Sequence, residues 1–131
     1  ELRRQASVVS LKVSLHRRPD ARADELRLDS VCYRLPWQNT DCRQNWVLHK
    51  ASERGWPSEH DGWSWIVEQA GVQWHELLAD TIANLPIGVS AIVATHQGIG
   101  MIWDERGEAS DVGKICDFLL RLRQKAEEIC L

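Results

Sequence analysis

The chain of 131 residues has one phenylalanine (Phe118), one tyrosine (Tyr33) and one methionine. A core built in the usual way draws heavily on Leu, Ile, Val and Phe, so the aromatic part of this one must come from elsewhere. Apolar runs stop after a few residues, well short of the roughly 18 that a spanning helix needs. Cys32, Cys42, Cys116 and Cys130 form no CxxC pair, and no Cys/His spacing matches a zinc finger. No HExxH occurs, nor two histidines at i and i+4, so the helical zinc site of a metalloprotease is excluded. None of the serines lies in a GxSxG, which excludes a nucleophile elbow. The one glycine cluster, Gly98-Ile99-Gly100, belongs to no GxGxxG or P-loop and reads as a turn.

What the chain does have is tryptophan: seven of them, four of which (Trp37, Trp46, Trp56, Trp63) fall within 27 residues among Asn, Asp, Pro and Gly. Tryptophan carries an N–H that wants a partner, and it favours interfaces and half-wet pockets. Trp37 and Trp56 each adjoin a proline, Pro36 and Pro57. A large ring on stiff backbone loses little entropy on binding, which is what an anchor needs. Trp65, Trp74 and Trp103 have apolar neighbours in register and read as core. The expected recognition surface is therefore Trp37, Trp46, Trp56 and Trp63, rimmed by Asp41, Glu59 and Asp61.

Charge points the same way. Residues 1–35 hold eight Lys/Arg and five Asp/Glu, whereas residues 36–131 hold eight and fourteen. An acidic body argues against a nucleic-acid partner and for a basic protein. Glu1 to Gln5 carry no apolar signal region behind their arginines, and the expected compartment is the cytoplasm. Four reduced, buried thiols are the expectation there, with a Cys32–Cys42 bridge left open as the alternative.

Elements follow from periodicity. Residues 6–15 alternate and predict a half-buried strand. Residues 21–35 predict a short helix ended by Pro36. Strands are expected at 45–50 and 63–68, a helix at 72–85, and a hairpin over 88–104. After Ser110, a good N-cap, Val112, Ile115, Leu119, Leu122, Ala126 and Ile129 recur at helical spacing. That stripe suits packing on a sheet and would also suit a homodimer seam. The sum is one α+β domain over 1–131: a mainly antiparallel sheet of about five strands, with two longer helices and one short helix on one face.

The second half resembles a known family. Trp63-Ser64-Trp65, then Trp74-His75-Glu76-Leu77-Leu78 running to Ile82 and Leu85-Pro86, then Met101-Ile102-Trp103 and Ile115, Phe118, Leu119, Leu122 are similar to the bacterial domain of unknown function 4279. The resemblance implies a compact α+β bacterial domain, with related proteins encoded beside toxin genes, and it supplies no site residues.

The chain has five histidines, at 16, 49, 60, 75 and 96. Glu59-His60-Asp61 is a compact polar triplet on a loop, and a metal site from His60, Asp61 and His96 would require distant convergence. The expected protein is a small non-enzymatic binding protein of the inhibitor or immunity kind, with no cofactor, no metal and no catalytic residue. The alternatives are a small-molecule sensor and, behind it, a metal-dependent hydrolase.

Overall fold

The computed structural model describes residues 1–130. It is an α+β fold whose seven strands form one antiparallel sheet. In chain order the elements are α1 (Leu2–Val8), β1 (Lys12–His16), β2 (Ser30–Leu35), β3 (Trp46–Lys50), β4 (Trp56–Pro57), β5 (Trp63–Ile66), α2 (His75–Ala83), β6 (Val89–Thr95), β7 (Gly98–Trp103) and α3 (Ala109–Cys130). The strand order is β1-β2-β7-β6-β3-β5-β4. No helix is long and apolar enough to cross a membrane among these residues.

Two stretches differ from expectation. Residues 6–15 are not one strand, because Ser10 takes φ +67° and breaks the extended run. Leu11 N–H donates to the Ala6 carbonyl and Ser10 N–H to that of Ser7, so the left-handed residue closes a short helix instead. Residues 21–35 are not a helix. Ser30–Leu35 lie extended between β1 and β7, with Tyr33 opposite Val13 on one side and Met101 on the other. Alternation of Tyr33 and Leu35 against Cys32 and Arg34 suits a strand, and pairing on both edges overrides the weak helical pattern. The sheet therefore has seven strands rather than about five, and the short helix stands at the N-terminus.

The helices share one face of the sheet. Tyr33, Leu35, Trp46, Leu48, Trp65, Ile92, Ile99, Met101 and Trp103 point at them and join Leu78, Val112, Ile115, Leu119 and Leu122 in one core. The stripe of α3 is thus buried within the chain, against β2, β7 and α1. Fully burying a Leu such as Leu119 contributes about 1.5–3 kcal/mol.

The opposite face carries a smaller cluster of Cys32, Val47, Ile66, Ala91, Val93 and Ile102. A strap, residues 17–29, reaches from β1 to the far side of β3. There Asp20 accepts from the Ser52 hydroxyl at 2.9 Å, and its carbonyl from Arg54. Since β3 is the fifth strand and β1 the first, the strap must cross the sheet.

Cys42, in a 3₁₀ turn at Thr40–Cys42, and Cys130, at the end of α3, form a disulfide, with Cα atoms 5.3 Å apart. Cys32 and Cys116 are free and buried. The expectation of four thiols is corrected at two positions. The bridge joins partners 88 residues apart that no local spacing reveals.

Candidate functional site

Most of the tryptophans build the core. Trp46 meets Trp65 edge-on at 6.1 Å and Trp74 at 5.1 Å. Trp103 donates to the Ile87 carbonyl and packs edge-on against Tyr33. Trp37 turns back after Pro36 and donates to the Thr95 carbonyl at 2.6 Å. Trp46 and Trp63 occupy strand positions whose side chains face the helices. Trp37, Trp46 and Trp63 are therefore buried, and the expectation that they are displayed is corrected. Period-2 alternation decides the direction of Trp46 and Trp63, and the hydrogen bond to Thr95 that of Trp37; polar neighbours in sequence decide neither.

Trp56 is the exception, with 39% of its surface exposed. It lies on β4, a two-residue edge strand in which Trp56 pairs with Trp65 and Pro57 with Ser64. Its indole donates to Gln69 Oε1 at 3.0 Å. Between β5 and Gln69 the chain makes a γ-turn: Glu68 N–H donates to the Ile66 carbonyl at 2.9 Å, with Val67 at φ +71°. A β-branched residue is strained there. The turn leaves Val67 68% exposed.

The connection from β4 to β5 is tightly built. The Ser58 hydroxyl lies within hydrogen-bond reach of the His60 and Trp63 carbonyls and accepts from His60 N–H. Trp63 N–H donates back to the His60 carbonyl, and Gly62 at φ +80° closes the turn. This holds Glu59 and His60 against His75, the first residue of α2. Glu59 Oε1 lies 3.5 Å from His60 Nε2 and 3.5 Å from His75 Nδ1. The two imidazoles stack with centroids 5.0 Å apart. His60 is 6% exposed, and its Nε2 has no hydrogen-bond partner. Burial pushes its pKa below the ordinary histidine value, aided by His75 and opposed by Glu59. Burial would raise the Glu59 carboxyl. Its own backbone N–H, the Trp65 indole and the two histidines outweigh this and hold it below the ordinary range.

Among the described residues, Glu59, His60 and His75 are the one group of His, Cys, Asp and Glu close enough to share an ion. The distant convergence that a site from His60, Asp61 and His96 would require does not occur. Asp61 is exposed beside the cluster, and His96 is exposed in the β6–β7 turn. His75 was missed because fifteen residues separate it from His60, which is no ligand spacing within one element. Asp41 is exposed on the 3₁₀ turn held against α3, in a different element from Glu59 and Asp61.

The corner is acidic. Residues 51–85, which span β4, β5 and α2, hold six Asp/Glu (Glu53, Glu59, Asp61, Glu68, Glu76, Asp80) and one Arg, Arg54. A shallow cleft of about 380 Å³ opens there beside Pro57, His60, Asp61 and Ser64. No family model, curated protein or solved structure matches the chain.

Proposed function

We propose that the chain is a non-enzymatic binding protein of the inhibitor or immunity kind, which covers a basic partner protein with its β4–β5–α2 corner. The observation that carries this is Trp56, the most exposed of the seven tryptophans, displayed on a sheet edge within the most acidic stretch of the chain. An indole beside Pro57 is a stiff anchor, and Glu53, Glu59, Asp61 and Glu68 provide a field that steers a cationic surface. Asp41, and the buried Trp37, Trp46 and Trp63, have no part in this surface. The resemblance to the domain of unknown function 4279 is compatible with the reading and adds no residue to it.

The test is affinity for the basic protein that the native chain retains. Trp56→Ala should weaken binding by about 2 kcal/mol or more, and raising the salt concentration should weaken it further. Unchanged affinity in Trp56→Ala would end the assignment.

A second reading has one observation behind it. Arg34 is buried, and its Nε and Nη2 meet no protein acceptor. It lines a groove of about 620 Å³ with Lys12, Ser14, His16 and Gln97. A buried guanidinium with unmet donors, beside a groove of cationic and polar groups, suits a small carboxylate or phosphate ligand that reaches in to it. That would make the chain a small-molecule sensor, with no tryptophan lining the groove. Such a ligand should raise the melting temperature of the native chain and leave Arg34→Met unmoved. Equal shifts in both would remove this reading.

A further inference from the structure

We propose that Glu59, His60 and His75 bind a divalent transition-metal ion of the zinc class. This goes beyond the binding reading above and does not depend on it.

The donor set is the first argument. Two imidazoles and one carboxylate form a borderline set that suits zinc, cobalt, nickel or copper. Calcium and magnesium prefer six or more oxygen ligands, and only one carboxylate is present in this group.

Spacing is the second. Bonds of about 2.0–2.2 Å in tetrahedral geometry place ligand atoms roughly 3.3–3.5 Å apart. Glu59 Oε1 stands 3.5 Å from each histidine nitrogen, and all three donor atoms lie within 4.8 Å of one another. Two of the three spacings therefore already stand near the tetrahedral value.

The third argument is the state of His60. A buried imidazole nitrogen normally has a partner, because leaving it bare costs about 1–3 kcal/mol. His60 Nε2 has no hydrogen-bond partner and faces Glu59 Oε1. A metal lone-pair bond would satisfy it.

The surroundings hold the ligands in place. The Ser58 hydroxyl network fixes the backbone of His60, and α2 fixes that of His75. Glu59 itself sits in the same β4–β5 connection as His60, next to it in the chain. Three protein ligands leave one tetrahedral position open. The half-exposed Glu59 and His75 side chains give that position access to solvent. Water or a side chain from a partner would complete the shell.

The experiment is calorimetric titration of the full chain with zinc chloride, with cobalt(II) absorption as a second readout. The native chain should bind one ion and give the visible bands of four-coordinate cobalt. His75→Ala should lose at least about a hundredfold in affinity and lose the bands, since even outer-shell changes cost ~10–100-fold. His75 is half-exposed, so its metal-free melting temperature should stay native. If it falls, Glu59→Gln supplies the same loss of affinity on an exposed residue. Trp56→Ala should bind the ion like the native chain, which separates this site from the partner surface. The proposal is overturned if no stoichiometric binding occurs or if magnesium binds equally well. Native affinity in both His75→Ala and Glu59→Gln would also overturn it.

Discussion

Glu105 shows how much one side chain can tie together. Arg3 donates to it twice, at 3.1 and 2.9 Å, and the buried Tyr33 hydroxyl donates at 2.7 Å. The Arg3 hydrogen bond is the main reason its pKa lies below the ordinary glutamate value; burial opposes, and Tyr33 adds to the lowering. A depressed folded pKa means stability present above the unfolded value near 4.5 and lost as pH falls through the folded one. Glu105→Gln should therefore flatten the acid limb of the melting-temperature curve and lower its neutral plateau. Superimposable curves would show that the network contributes nothing. At this scale the sequence was half legible. The abundance of tryptophan is plain in the sequence, but polar neighbours do not reveal where a side chain points. Trp46 and Trp63 look displayed in the sequence and are buried by strand alternation, while Trp56 escapes because β4 is an outermost strand.

Secondary elements read well wherever one period dominated. β3, β5, α2, the β6–β7 hairpin and α3 all stand close to their expected places. The failures were positions where a single dihedral or a distant partner decided the outcome. Ser10 at φ +67° turns an alternating run into a helix end, and β2 exists only because β1 and β7 flank it. β4 has two residues and no detectable period. Two substitutions test this level. Val67→Asn keeps the γ-turn and relieves a β-branched residue at φ +71°, so it should raise stability by on the order of 1 kcal/mol in urea unfolding. A loss instead would mean that Val67 is not strained. Gly55 sits at φ +78°, and a Cβ there would run into the Trp65 carbonyl and Ile66 Cδ1. Gly55→Ala should therefore cost more than Gly62→Ala, where the φ is similar but the space is open. Strain alone is worth about 1–2 kcal/mol, and steric conflict adds to it at Gly55 only. Equal costs would show that β4 yields freely.

The whole molecule is held by two long-range ties that local reading could not supply. One is the strap carrying Asp20 across the sheet to Ser52. The other is the Cys42–Cys130 disulfide, which closes a loop of 88 residues. Loop-closure entropy for that length corresponds to about 4–5 kcal/mol. Reduction, or Cys130→Ser, should lower the melting temperature accordingly, and thiol counting on the chain unfolded without reductant should find two free cysteines. Four free thiols would contradict the bridge. The acidic corner, by contrast, is one continuous stretch, residues 51–85, in which an edge strand, a turn and a helix start fold against one another. The pairing of His60 with His75 is still not legible there, because fifteen residues and two different elements separate them.

One indole, that of Trp56, is displayed in an anionic corner while the six others build the core. Tryptophan quenching by caesium and by iodide, on the native chain and on Trp56→Phe, addresses it directly. One readily accessible emitting component should appear, quenched more efficiently by caesium than by iodide at low salt, and it should vanish in Trp56→Phe. Several accessible indoles, or stronger quenching by iodide, would contradict the account.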